Sequence, residues 1–305
     1  VDAHCHAEQE AWRPESWWMA VSERGAEIMD APAQVLREMV VPALWDPDGS
    51  AQLAAMDEAG LDVAVMFPFD WSLEERLGRP ETGWRQQNEW YADLADRHPD
   101  RVRWGFGVDP RQDGALEAFT EAVRDRGAVC LKLHPGGGWR MDDAVAHPFL
   151  ERAGQLGVPV VMHVGPLPAP LDSSNAAPEL LDAVAGGFPD LPIQAAHTGN
   201  TEWPAVVRVA ERRANVYCDL SGWQVSLQEG PDALTAKVRR VLDAVGPDRV
   251  MWGTDAPYLR PIAPDSAWID AFAGAPEGTF TADEVEAALG GTASRFFGLA
   301  REPGR

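Results

Sequence analysis

Four histidines and one aspartate close short apolar runs at widely separated points of the chain, and these residue types bind divalent metals. Val1-Asp-Ala-His-Cys-His carries His4 and His6. Pro159-Val-Val-Met-His ends at His163, Pro192-Ile-Gln-Ala-Ala-His ends at His197, and Arg249-Val-Met-Trp-Gly-Thr-Asp ends at Asp255. Residues two apart on a strand project to the same face, so His4 and His6 can grip one ion while Cys5 points away. Four of the five donors would fill most of a coordination shell and leave a position for water or substrate. No thiolate accompanies them, which argues against a closed structural zinc. The implied chemistry is that of a metalloenzyme. Water activated by a bound ion attacks a carbonyl, with Asp255 as weak ligand and proton acceptor. His197, as an imidazole, is suited to polarise the carbonyl or to give a proton to a leaving group or ring carbon.

Such scattered donors need a frame that brings strand ends together. Eight runs read as strands: Val1–His6, Asp62–Pro68, Val102–Val108, Ala128–His134, Val158–His163, Ile193–His197, Val216–Ser221 and Val250–Asp255. Seven stretches between or after them carry apolar residues at helical spacing: Gln52–Ala59, Gln87–Arg97, Ala115–Arg126, Pro148–Leu156, Pro178–Phe188, Pro204–Arg212 and Pro231–Val245. The alternation predicts an α/β protein, a (β/α)8 TIM barrel forming a single domain over 1–305, with its active site at the C-terminal strand ends. The connection from residue 7 to 48 is far longer than an ordinary βα loop. With Trp12, Trp17, Trp18 and Trp45 it reads as a Trp-rich insertion after the first strand, either a lid over the barrel mouth or an oligomer contact. Residues 280–305 read as a C-terminal helical region, with Phe296 and Phe297 docking on the barrel.

Composition narrows the classes. The 305-residue chain has a formal net charge of −22, which repels nucleic acid and anionic membranes. No apolar stretch approaches a membrane span of about 20 residues, and no signal-peptide pattern precedes the first run. Cys5, Cys130 and Cys218 all lie inside apolar runs, as buried thiols in a reducing compartment do. The expectation is a cytoplasmic enzyme with a small-molecule substrate, with a homodimer as an open possibility.

The motifs taken in order are Asp-x-His-x-His at the start, Leu131-Lys-Leu-His-Pro, the His163-x-Gly pair, Ala196-His-Thr-Gly, Asp219-Leu-Ser-Gly and Trp252-Gly-Thr-Asp-Ala-Pro. Together they resemble the amidohydrolase superfamily across roughly Val1 to Leu299. The branch they resemble contains aminocarboxymuconate-semialdehyde decarboxylase, the resorcylate decarboxylases and dicarboxylate lactonases. The resemblance implies that His4, His6, His163 and Asp255 bind one Zn2+, or Mn2+, per chain, with His197 as a catalytic histidine beside the ion. It leaves the reaction open between a hydrolase acting on a lactone, amide or related carbonyl of a small carboxylated molecule and a cofactor-free decarboxylase of an aromatic or conjugated acid. Many decarboxylases of the branch carry a long insertion after the fifth strand, whereas about thirty residues separate His163 from His197 here; hydrolysis is therefore the leading expectation.

Further candidates surround this set. Lys132 and His134 share one face of the fourth run. Lys132 would bridge a second metal if carbamylated, as in some amidohydrolases, or pair with a carboxylate. His134 is a substrate-contact candidate. Arg140 and Arg260 could each offer a fork to an anionic substrate. Trp139 and Trp223 could wall a flat one.

Overall fold

The computed structural model describes residues 1–299. Among the described residues nine short strands, all parallel, run in chain order: β1 Asp2–Cys5, β2 Ala64–Met66, β3 Val102–Trp104, β4 Phe106–Gly107, β5 Leu131–Leu133, β6 Val160–His163, β7 Ile193–Ala196, β8 Val216–Asp219 and β9 Val250–Met251. They form two sheets, β1-β2-β3 and β4 through β9, each strand beside its sequence neighbour. Gly105 bridges the sheets: its N–H bonds Met66 O (2.9 Å) while Phe106 N–H bonds Cys130 O (2.9 Å). Ala3 N–H to Trp252 O (3.1 Å) and His6 N–H to Ala256 O (2.7 Å) join the last strand to the first, so the ladder closes into a barrel. The single run expected over Val102–Val108 is therefore two strands in one staves' place, and the count of eight positions around the barrel stands.

The ladders are shorter than the apolar runs. Asp62–Pro68 contributes only Ala64–Met66, and Val250–Asp255 only Val250–Met251. The missing residues have left the ladder to form the C-terminal rim, where Asp255 adopts a left-handed backbone (φ 52°) that no strand accommodates. Alternation sorts the remainder. Leu131, Leu133, Val160, Met162, Ile193 and Val216 join the large core beneath the helices, whereas Val65, Phe67, Cys130, Val161, Ala196 and Met251 share a second core inside the barrel. All three cysteines are free and buried.

Helices cover the outside at the expected places. These include α3 Ser50–Ala59, α4 Trp84–Arg97, α5 Ala115–Asp125, α6 His147–Leu156, α7 Pro178–Gly187, α8 Trp203–Arg212 and α9 Pro231–Val245. α5 buries Phe119 and Ala122, and α8 buries Val206, Val207 and Val209 along one stripe each. α6 through α9 carry proline in the first turn, where its missing N–H costs little. No described helix is long and apolar enough to cross a membrane.

Two helices, α1 Glu15–Met29 and α2 Ala33–Met39, occupy the long connection after β1. Trp17 and Trp18 pack there with Phe69, Trp71, Leu77 and Leu171, while Trp12 joins the main core against Trp90 and Tyr91. Phe69 and Trp71 follow β2 directly, so α1 lies against the C-terminal end of the barrel. Beyond β9 come α10 Asp265–Ala273, α11 Ala282–Glu286 and α12 Thr292–Phe296, with an irregular wide turn over Ala287–Gly291 between the last two. Phe296 and Phe297 pack with the inward-facing strand residues Ala3, Val65 and Met251; residues 300–305 of the expected helical tail lie outside the described residues.

α11 is tied to α9 by a forked ion pair: Arg239 donates to both Glu284 oxygens at 2.7 and 2.8 Å. That bond, with the Thr281 N–H, holds the Glu284 carboxyl at about 2, below its ordinary 4.5. A carboxyl depressed in the fold stabilises it fully above the unfolded value and loses the effect as pH falls through the folded one. Glu284→Gln should therefore lower the melting temperature at pH 6, and the difference from wild type should shrink as pH is taken from 4.5 towards 2. A pH-independent difference in thermal melts would contradict the assignment.

Candidate metal centre

His4 and His6 project from the end of β1 and its continuation, and both rings are anchored on the same side. His4 Nδ1 bonds Asp219 Oδ2 at 2.5 Å, and His6 Nδ1 donates to Phe67 O at 2.7 Å. Each contact puts the ring proton on Nδ1 and leaves Nε2 as a lone-pair donor. The two Nε2 atoms stand 3.2 Å apart, and Asp255 Oδ1 lies 3.7 Å from that of His4 and 3.5 Å from that of His6. Donors about 2.1 Å from one ion and tetrahedrally arranged stand roughly 3.4 Å apart. The three atoms, mutually within 4.8 Å, thus fit one face of a coordination shell.

His163 stands outside that trio. Its ring stacks on His134 (centroids 4.0 Å apart, planes 13° apart) and meets His197 edge-on at 5.1 Å. Its Nε2 is buried and has no hydrogen-bond partner. Buried polar atoms nearly always have one, and a ligand role accounts for this nitrogen. Burial, reinforced by neighbouring positive charge, pushes His4, His6, His134 and His163 well below the ordinary histidine range, so all four are neutral and able to donate a lone pair. Burial acts on Asp255 in the opposite sense, raising it against the attraction of His197 and Lys132. The residues fit a divalent cation held by nitrogen and oxygen donors.

His197 faces the same centre. Its Nδ1 lies 3.0 Å from Ser221 Oγ, 3.2 Å from Ser221 O and 3.9 Å from Asp255 Oδ2. Its backbone is left-handed (φ 60°), as is that of Thr198 (φ 43°), an unfavourable state for a β-branched residue. Two bonds hold it there, Trp223 Nε1–H to His197 O (2.8 Å) and Thr198 Oγ–H to Asp219 O (2.7 Å). Gly253 lets the rim close: a Cβ there would sit 3.0 Å from His4 Cβ and 3.1 Å from His4 N.

The remaining candidates divide sharply. Lys132 is at the centre, buried, with Nζ 3.4 Å from His4 Nε2 and 4.9 Å from the Phe67 ring centre. Burial pulls it down to about 8 against the attraction of Asp255 and Asp219. His134 is also at the site; Gly136 N–H donates to its Nδ1 (3.2 Å), so its proton resides on Nε2. Trp223 acts through the His197 backbone rather than as an open wall. Trp139 is buried in the core, its indole nitrogen beside Gly137. The two arginines are not delivered to the site. Arg140 is 53% exposed and bound to its near neighbour Asp142 (3.0 Å), and Arg260 is spent on Asp265 (2.8 Å) and Gln52 (2.6 Å). Both follow strand ends, but the loop turns each towards a closer carboxylate.

Several residues escaped the sequence reading. Asp219 accepts from His4, Gln194 Nε2 (2.9 Å), Ser221 N (2.7 Å) and Ser221 Oγ (2.9 Å). Its signal was present, since it is a carboxylate closing an apolar run just as Asp255 does. Glu8 continues the alternation of His4 and His6, and its Oε1 accepts from Arg13 (2.8 Å) and Tyr258 (2.8 Å) in a buried cluster beside Phe69. Nothing in the sequence pairs residues 13 and 258.

The chain belongs to the amidohydrolase family, whose model matches residues 79–299; His4 and His6 precede that stretch. No curated protein sequence matches it. It is similar in structure to a TIM-barrel protein from Bordetella bronchiseptica, uncharacterised, at 20% identity and TM-score 0.70 over 96% of this chain and 97% of that one. A 5-carboxyvanillate decarboxylase from Novosphingobium aromaticivorans, complexed with manganese and 4-hydroxy-3-methoxy-5-nitrobenzoic acid, is 16% identical with TM-score 0.65 over 98% and 99%. A probable 2-pyrone-4,6-dicarboxylic acid hydrolase from Acinetobacter baumannii is 14% identical with TM-score 0.65 over 97% and 98%. At such identities these likenesses speak to the fold, which is the TIM barrel.

Asp219→Asn would keep the shape but remove the charge that holds His4 Nδ1. Metal affinity should fall by about 10- to 100-fold in chelator competition, with the circular dichroism spectrum unchanged. Unaltered affinity would show that Asp219 serves only the fold.

Proposed function

We propose that this chain is a divalent-metal-dependent decarboxylase of a small, flat aromatic or conjugated carboxylic acid. The observation that carries this reading is the set of rings set against the donors. Phe67 lies 4.9 Å from the His4 ring, Phe69 5.1 Å from His6, and Trp71 4.6 Å from His134; Tyr258 stands 6.5 Å from His6. Flat apolar walls suit a planar substrate, and neither Arg140 nor Arg260 is free to bind an extended polar one. The solved relative complexed with manganese and a nitrobenzoic acid supports the same class.

His4, His6 and Asp255, with His163, would hold the ion, which when bound supplies Lewis-acid charge to the substrate's oxygens. Zinc and manganese both suit such mixed donors. Phe67 and Phe69 exclude water beside the imidazoles. His197 and Asp255 stand where a proton must be held: when the carbon–carboxylate bond breaks, its electron pair enters the conjugated system, CO2 departs and a proton is delivered to that carbon. Ser221 fixes the His197 ring for the transfer.

Hydrolysis is the second reading. It is favoured by Asp255, which at 20% side-chain exposure is the site group open to water and could take its proton. The same experiment separates the two. Manganese- or zinc-loaded protein incubated with hydroxylated benzoic acids in D2O should release CO2 and leave one deuterium on the carbon that bore the carboxylate. Ring-opened products carrying label from H218O, without CO2, would establish hydrolysis instead. His197→Ala should lower turnover by at least about 100-fold while metal content per chain stays the same. Loss of the metal from that variant would make His197 a ligand.

A further inference from the structure

We propose that Lys132, unmodified, is the anion-holding residue of this site, its ammonium binding the carboxylate of the substrate beside the metal donors. The inference rests on the reading that the substrate is an acid, and it names the residue that recognises that group. Lys132 extends from the middle of β5 into the barrel and is 1% exposed. An ammonium has three N–H donors and, when buried, requires acceptors or a paired charge. Lys132 has one polar contact, the 3.4 Å approach to His4 Nε2, and one aromatic one, Phe67. It forms no ion pair with any carboxylate among the described residues.

The other cations near the mouth are matched. Arg13 is bound to Glu8, Arg140 to Asp142 and Arg260 to Asp265. Lys132 is the exception, and its one nitrogen partner is the lone pair by which His4 would hold a metal. With that lone pair engaged elsewhere, the ammonium has no protein acceptor in reach, and an anionic oxygen brought by a ligand completes it. Asp255 and Asp219 attract it from beyond ion-pair distance. A compact, strongly hydrated point charge of this kind suits a carboxylate held end-on rather than a bidentate fork.

Oxalate is the probe, titrated by calorimetry into the manganese-loaded chain and into loaded Lys132→Met and Lys132→Arg. Lys132→Met replaces a desolvated charge by an apolar chain of similar length, so folding should be retained; Lys132→Arg keeps the charge and serves should the first variant fail to fold. Oxalate should bind wild type with one metal per chain, at least about tenfold more weakly to Lys132→Met, with partial recovery in Lys132→Arg and the same metal content in all three. Equal affinity in wild type and Lys132→Met overturns the proposal, as does a loaded wild type that binds no oxalate. Two metals per chain in wild type, falling to one or none in Lys132→Met, overturns it in favour of a bridging lysine. Failure of the CO2 assay with the oxalate result intact would refute the reaction assigned above and leave the anion site standing.

Discussion

One buried carboxylate organises the catalytic end of this barrel. Asp219 closes β8, yet its oxygens are claimed by β1 through His4, by β7 through Gln194, and by its own turn through Ser221. Burying a carboxylate is costly unless its lone pairs are filled, and here each bond that fills one also fixes a neighbour. The His4 contact sets a tautomer and an orientation together. The backbone N–H of His197 points at the same Oδ2 from 3.4 Å, so the His4 and His197 imidazoles are referenced to a single atom. A shift of β8 would therefore disturb both at once.

The rim built on this anchor stores strain. His197, Thr198 and Asn200 all have positive φ, and Asp255 does too. Such residues cost on the order of 1–3 kcal/mol each and persist only where surroundings over-determine them. The Thr198 hydroxyl on Asp219 O and the Trp223 indole on His197 O do so on one side. On the other, Asp2 holds Thr254 through both oxygens (3.0 and 2.6 Å), and Asp255 N–H bonds His4 O (2.8 Å). His197 and Asp255 are thus both among the residues whose backbones leave strand geometry. Leaving the ladder early is what turns His197 and Asp255 inward.

This explains what could and could not be read from the chain itself. The barrel was legible because alternation and helical spacing follow from burial, and burial repeats around the fold. His4, His6 and Asp255 were legible because residues at strand ends are brought together by any such barrel. Strand lengths were overestimated because apolar character continues past the last ladder bond, into the rim turns. The arginines were misplaced for a different reason: a loop's direction is set by its nearest partners, and Asp142 lies two residues from Arg140. Glu8, Arg13 and Tyr258 meet only because the connection after β1 folds back over the loop after β9, and no local pattern encodes a contact across 250 residues.

The charge distribution adds a constraint that composition conceals. A chain of net −22 repels acids at long range, yet its centre contains four neutralised imidazoles, one raised carboxyl and one buried ammonium. An acid entering such a site approaches against the net charge of the chain, so the attraction it needs is short-range. Burial keeps the histidines neutral, so they add donors without adding repulsion towards a cation. On the proposed reading, the field an incoming carboxylate meets would be set by the ion and by Lys132. The carboxylate that orients His4 is also among the charges that attract the lysine, so metal binding and anion binding, as proposed, would both feel one buried group.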